Sequence, residues 1–86
     1  MKRWTVIFRA LSNINRLKII SILNKRKMSV GDIADNLRIS LKATSNHLAM
    51  LKNLDVLEFQ GSNGRVFYSL NPKMPNDFRN IINNIR

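Results

Sequence analysis

The chain contains no cysteine, only five acidic residues, three glycines and two prolines in 86 positions. Each shortage excludes something. Without cysteine there is no disulfide, thiolate zinc site, iron–sulfur cluster or cysteine nucleophile. The glycines stand at 31, 61 and 64, too scattered for a phosphate-cradling loop. No two carboxylates are spaced for acid–base work. Ser45 and His47 are the one nucleophile-and-base pair, and two positions apart on a helix they do not face each other. The sequence therefore reads as a non-enzyme without cofactor or metal. Long apolar runs are also missing, so nothing approaches the ~20 residues of a membrane span. The start, Met1 to Phe8, is basic and then apolar, but Arg9 interrupts it and no small-residue cleavage site follows. A cytoplasmic protein is expected.

What the chain does have is positive charge. Fifteen Lys and Arg residues give a formal net charge of +10. Eight of them (Lys2, Arg3, Arg9, Arg16, Lys18, Lys25, Arg26, Lys27) precede residue 28, with no acid among them. A small, strongly basic domain points to a polyanionic partner. Length allows a single domain, residues 1–86, whose modest core would gain from a second subunit.

Apolar spacing orders the elements. Trp4, Ile7, Phe8 and Leu11 recur at helical intervals. Ser12-Asn13 breaks the pattern and caps a second helix carrying Leu17, Ile19, Ile20, Ile22 and Leu23, apolar on most sides and so central. Ser29 caps a third, with Asp32 in its first turn and Ile33, Ala34 and Leu37 inward. Ser40 caps a fourth, Leu41 to Leu54, with Thr44, Leu48 and Leu51 inward. Asp55 suits a left-handed helix end. The period then becomes two at residues 56–60 and 65–70, with Gly61-Ser62-Asn63-Gly64 as the loop between. Phe59 and Tyr68 are expected in the core. Pro72 and Pro75 close the sheet region, and Phe78, Ile81, Ile82 and Ile85 mark a fifth helix. The order α-α-α-α-β-β-α is mainly α with a small β-hairpin wing, the layout of a winged helix-turn-helix. Its turn is Arg38-Ile39-Ser40.

Particular runs resemble the ArsR/SmtB family of repressors. Ala10-Leu11-Ser12-Asn13-Ile14-Asn15-Arg16-Leu17-Lys18-Ile19 is similar to that family's entry into the second helix. Ile33-Ala34-Asp35-Asn36-Leu37 and Ile39 to Leu48, with Ser45-x-His47-Leu48, resemble its helix-turn-helix. Arg65-Val66-Phe67-Tyr68-Ser69-Leu70 resembles its wing. The resemblance implies a homodimeric repressor that binds a double-stranded DNA operator and dimerises through its first and last helices. It departs at the family's metal sites. Ser29-Val30-Gly31 stands where a Cys-x-Cys can lie, and the last helix offers only Asp77. Metal sensing is therefore not expected. Arg38 also stands where the family often has glycine.

The candidate DNA-binding residues are Ser40, Lys42, Ala43, Ser45, Asn46 and Arg65. Ser40 is a cap that also turns N–H groups toward a phosphate. Lys42 suits phosphate, Ala43 a thymine methyl, and Asn46, beside Ser45, an adenine edge. Arg65 fits either the minor groove or a solvated strand edge. Trp4, Ile7, Phe8, Leu11, Phe78, Ile81, Ile82 and Ile85 are the candidate dimer contacts. His47 is expected to pack or hydrogen-bond. Two other readings stay open: a winged-helix protein-interaction module and an RNA-binding protein.

Overall fold

The computed structural model describes residues 2–83, with side chains from residue 5 onward. Five helices, α1 (Lys2–Leu11), α2 (Ile14–Leu23), α3 (Val30–Leu37), α4 (Leu41–Asn53) and α5 (Asn76–Asn83), surround one small sheet. The sheet has strands β1 (Met28–Ser29), β2 (Leu57–Ser62) and β3 (Arg65–Leu70), antiparallel in the order β1-β3-β2. α2 packs against α1, α3, α4 and β3, the central place its nearly all-round apolar character requires.

The core draws a side chain from almost every element. Ile7, Ile19, Ile33, Leu48, Leu51, Val56 and Phe78 are completely buried. Each contributes about 1.5–3 kcal/mol by leaving water. Asn13, Ser29 and Ser40 cap α2, α3 and α4 as their positions predict, each accepting backbone N–H groups of the first turn. Two helices end alike. Arg38 is left-handed (φ 58°), Ile39 N–H donates to the Ala34 carbonyl, and Arg38 N–H donates to that of Asp35. At the end of α4 Asp55 is left-handed (φ 62°), with Val56 N–H on Leu51 and Asp55 N–H on Lys52. This paired bonding satisfies carbonyls that a helix end leaves open.

The structure departs from the sequence reading in three places. The hairpin loop is two residues, not four: Ser62 pairs with Arg65, and Asn63 (φ 53°) and Gly64 (φ 78°) alone make the turn. Both central residues of such a turn need positive φ, which Asn and Gly tolerate best, so Gly61 and Ser62 remain in β2. β1 is an additional strand, pairing Met28 with Tyr68 and Ser29 with Phe67. Phe59 is not core. It lies on the edge strand, half exposed, with its ring centroid 5.7 Å from that of Tyr68 and the Lys52 amine 4.9 Å above it. Tyr68, on the middle strand, is half-buried against the core.

Candidate nucleic-acid interface

α3, the left-handed Arg38 and the Ser40 cap place α4 with one face fixed. Ser40 Oγ accepts from Ala43 N–H at 3.0 Å, and the Ser40 carbonyl accepts from the Thr44 hydroxyl at 2.8 Å. Thr44, Leu48 and Leu51 are buried. At about 100° per residue, burying those three turns Lys42, Ser45 and Asn46 outward, and all three are exposed. Ala43 is half-buried beside them. The first-turn N–H groups and the Lys42 amine put positive potential at this end of the helix. Leu41 adds an apolar contact at the same end. It is 60% exposed, and its place outside the inner stripe was the signal that could have marked it.

Arg65 stands at the base of the hairpin turn and is braced. Its Nη2 donates to Ser29 Oγ at 2.9 Å and lies 3.6 Å from an Asp32 carboxylate oxygen, both side chains being more than half exposed. Its guanidinium also sits 5.4 Å from the Phe67 ring, over which Lys27 places its amine at 5.7 Å. Arg65 of the wing and Lys27, just before β1, thus meet on one aromatic side chain, and Arg65 joins the wing to the cap of α3. Ser29 Oγ, buried, accepts from both Asp32 N–H and Arg65.

His47 lies on the flank of α4, between its buried and exposed faces. Its Nδ1 is 3.2 Å from Arg16 Nη1. Burial, and then the Arg16 charge, hold its pKa below the ordinary 6.5. Among the described residues no three His, Cys, Asp or Glu side chains gather where they would hold a metal, and no helix there is long and apolar enough to cross a membrane.

The terminal stripes divide. Ile7, Phe78 and Ile82 pack inside the chain's own core, with Leu11 and Ile81 half-buried against it. Phe8 is 59% exposed. The Trp4 side chain and Ile85 lie outside the described residues. On another flank of α1 from Phe8, the exposed Val6 and Met50 join Arg9, Asn53 and Leu54 around an open depression of about 410 Å³.

Residues 13–58 match the family described as bacterial regulatory protein, arsR family. The chain is 35% identical over 71 residues to the transcriptional repressor SdpR of Bacillus subtilis, covering 83% of this chain and 79% of that one. It is 34% identical over 65 residues to the transcriptional activator HlyU of Vibrio cholerae, covering 76% of this chain and 60% of that one. Solved structures agree in fold. Reduced HlyU from Vibrio cholerae superposes with a TM-score of 0.80 at 28% identity, covering 95% of this chain and 83% of that one. The homodimeric winged helix-turn-helix DNA-binding domain Mb0332 from Mycobacterium bovis gives a TM-score of 0.79 at 23% identity, covering 95% and 73%.

Proposed function

The chain belongs to the ArsR family of bacterial regulatory proteins, and from that premise we propose that it is a homodimeric, sequence-specific DNA-binding repressor that does not sense metal. The observation that carries this reading is the exposed edge of α4. A capped helix with its inner side buried offers Lys42, Ser45 and Asn46 together, beside Leu41. A helix of this width enters the major groove, where Asn reads adenine by paired hydrogen bonds and an apolar side chain meets the thymine methyl. Lys42 and the braced Arg65 supply phosphate or minor-groove contacts.

Dimerisation is favoured by the exposed Phe8 on α1 and by the homodimeric state in which Mb0332 is described. SdpR, described as a repressor, supports repression. The ligand inventory supports the absence of metal sensing: no cysteine, one histidine engaged by Arg16, and Ser29 already bonded to Asp32 and Arg65.

The test is selection of genomic fragments by the purified chain at ~150 mM salt, then titration of the selected duplex from 50 to 200 mM. Enrichment of a near-palindromic sequence, with affinity falling steeply as salt rises, is the expected result. Capture of RNA or of a protein, with no duplex enriched, would overturn it. Addition of zinc or of a chelator should change neither affinity nor melting temperature.

A further inference from the structure

Among the described residues Arg16 makes more side-chain hydrogen bonds than any other cation. It is the third residue of α2, and its guanidinium reaches backward to α1. Nε donates to the Ala10 carbonyl at 2.6 Å and Nη2 to the Arg9 carbonyl at 2.9 Å. These are carbonyls of the last turn of α1, where intrahelical donors run out and a cation is favoured. The remaining arm, Nη1, points forward to His47 Nδ1 on α4. One planar group therefore grips the end of α1 and the flank of the helix that carries Lys42, Ser45 and Asn46.

The chemistry of the grip fixes the protonation state. Arginine only donates, so Nδ1 must keep its lone pair and the ring proton must sit on Nε2. Protonation at Nδ1 removes the acceptor and sets two cations face to face. The elements packed against α4 carry Arg16 and Lys18 on α2, Asp32 and Asp35 on α3 and Glu58 on β2, with Lys42 and Lys52 on α4 itself, and Arg9 of α1 shares a depression with Met50 and Asn53 of α4. Of these, Arg16 is the one whose charge acts on the ring, together with burial. His47 adjoins Asn46 in sequence, so a rotation of α4 at this contact moves the reading side chain directly. Paired hydrogen bonds to a base edge do not survive a displacement of about 1 Å.

We propose that Arg16 is a positioning residue for DNA reading: by holding the end of α1 and the bare Nδ1 of His47 together it fine-tunes the tilt of α4, whose inner face the core already fixes, and protonation of His47 loosens that flank. This rests on the DNA-reading function inferred above. Its consequence has an unusual sign. Added positive charge ordinarily strengthens binding to a polyanion, whereas here acidification weakens sequence-specific binding.

The test has two arms. In the first, a fluorescent selected duplex and its scrambled counterpart are titrated at one salt concentration, at about pH 7.5 and about pH 5. The wild type should lose about tenfold on the selected duplex and nothing on the scrambled one. His47→Asn places a non-titrating amide oxygen near the Nδ1 position. It should bind the selected duplex within about threefold of the wild type at pH 7.5 and lose the pH response. Constant or rising wild-type affinity on acidification would overturn the proposal, as would a wild-type pH response in His47→Asn. The second arm needs no DNA. His47 is the single histidine, so its ring signals titrate unambiguously by NMR alongside the α4 amides. Both should move together in the wild type, and the α4 amides should stay still in His47→Asn. Amides that ignore the ring titration would refute the coupling. Failure to select any duplex would instead remove the DNA-reading function and leave this arm to decide the coupling.

Discussion

Arg38 shows how one residue positions a site. Its left-handed backbone turns the chain from α3 into α4, at a cost on the order of 1–2 kcal/mol for a residue with a Cβ. Arg38→Gly removes that strain and returns some unfolded-chain entropy. A net gain of about 0.5–1 kcal/mol is expected, seen as a melting temperature raised by about 2–8 °C. A fall would mean the arginine side chain stabilises the turn by more than its backbone costs. For His47 the sign follows from its lowered pKa. The unfolded chain binds the proton more readily, so this contribution is fully present above the unfolded value near 6.5 and is lost as pH falls through the folded one. Compared with His47→Asn, the wild type should lose more melting temperature between about pH 7 and about pH 5. At the reading face, Asn46→Ala should cost about 1–3 kcal/mol on the selected duplex and relax preference at one base pair per half-site, while Lys42→Ala weakens selected and random duplexes alike. Equal losses on both duplexes for Asn46→Ala would make it a backbone contact. Ser40, Asp55 and the inner face of α4 were legible because each obeys a local rule. The partner of His47 was not, because Arg16 lies 31 positions away and no short-range pattern links them.

The elements were legible in proportion to their length. Helices of eight to thirteen residues impose a repeating stripe, and their caps stand at fixed offsets. β1, two residues long, cannot show alternation, and only its pairing with β3 reveals it. The exposure of Phe59 was hidden for a related reason. Alternation assigns a face, but whether that face is covered depends on which strand lies at the edge. The wing turn is the element most sensitive to a single atom. Gly64 has φ +78°, and an added Cβ meets nothing within 4 Å. Gly64→Ala therefore isolates backbone strain, expected at about 1–2 kcal/mol. Because Ser62 and Arg65 flank the turn directly, the substitution should also move the β2–β3 cross-strand NMR contacts if the turn relaxes to another type. A loss of stability with unmoved contacts would confine the strain to residue 64.

At the scale of the whole molecule, charge and apolar surface were visible in composition, but their division between inside and outside was not. A net charge of +10 on 86 residues predicts affinity for the selected duplex that falls by about 10³–10⁵ between 50 and 200 mM salt if the dimer neutralises about 6–10 phosphates. The terminal stripes carry a sharper test, because the fold separates residues that the sequence groups together. Ile82 is 7% exposed and belongs to the chain's own core. A charge there has no partner and costs several kcal/mol, a large share of the stability of a domain this small. Ile82→Asp should therefore lose its cooperative unfolding transition outright. Phe8, on the same helical stripe as the buried Ile7, is 59% exposed. Aspartate at position 8 stays hydrated in the single chain and is desolvated only when a second copy covers α1. Phe8→Asp should keep the wild-type circular dichroism spectrum while sedimenting as a monomer, and DNA affinity should drop because one half-site alone is held. A Phe8→Asp protein that still sediments as a dimer would move the interface away from this face of α1.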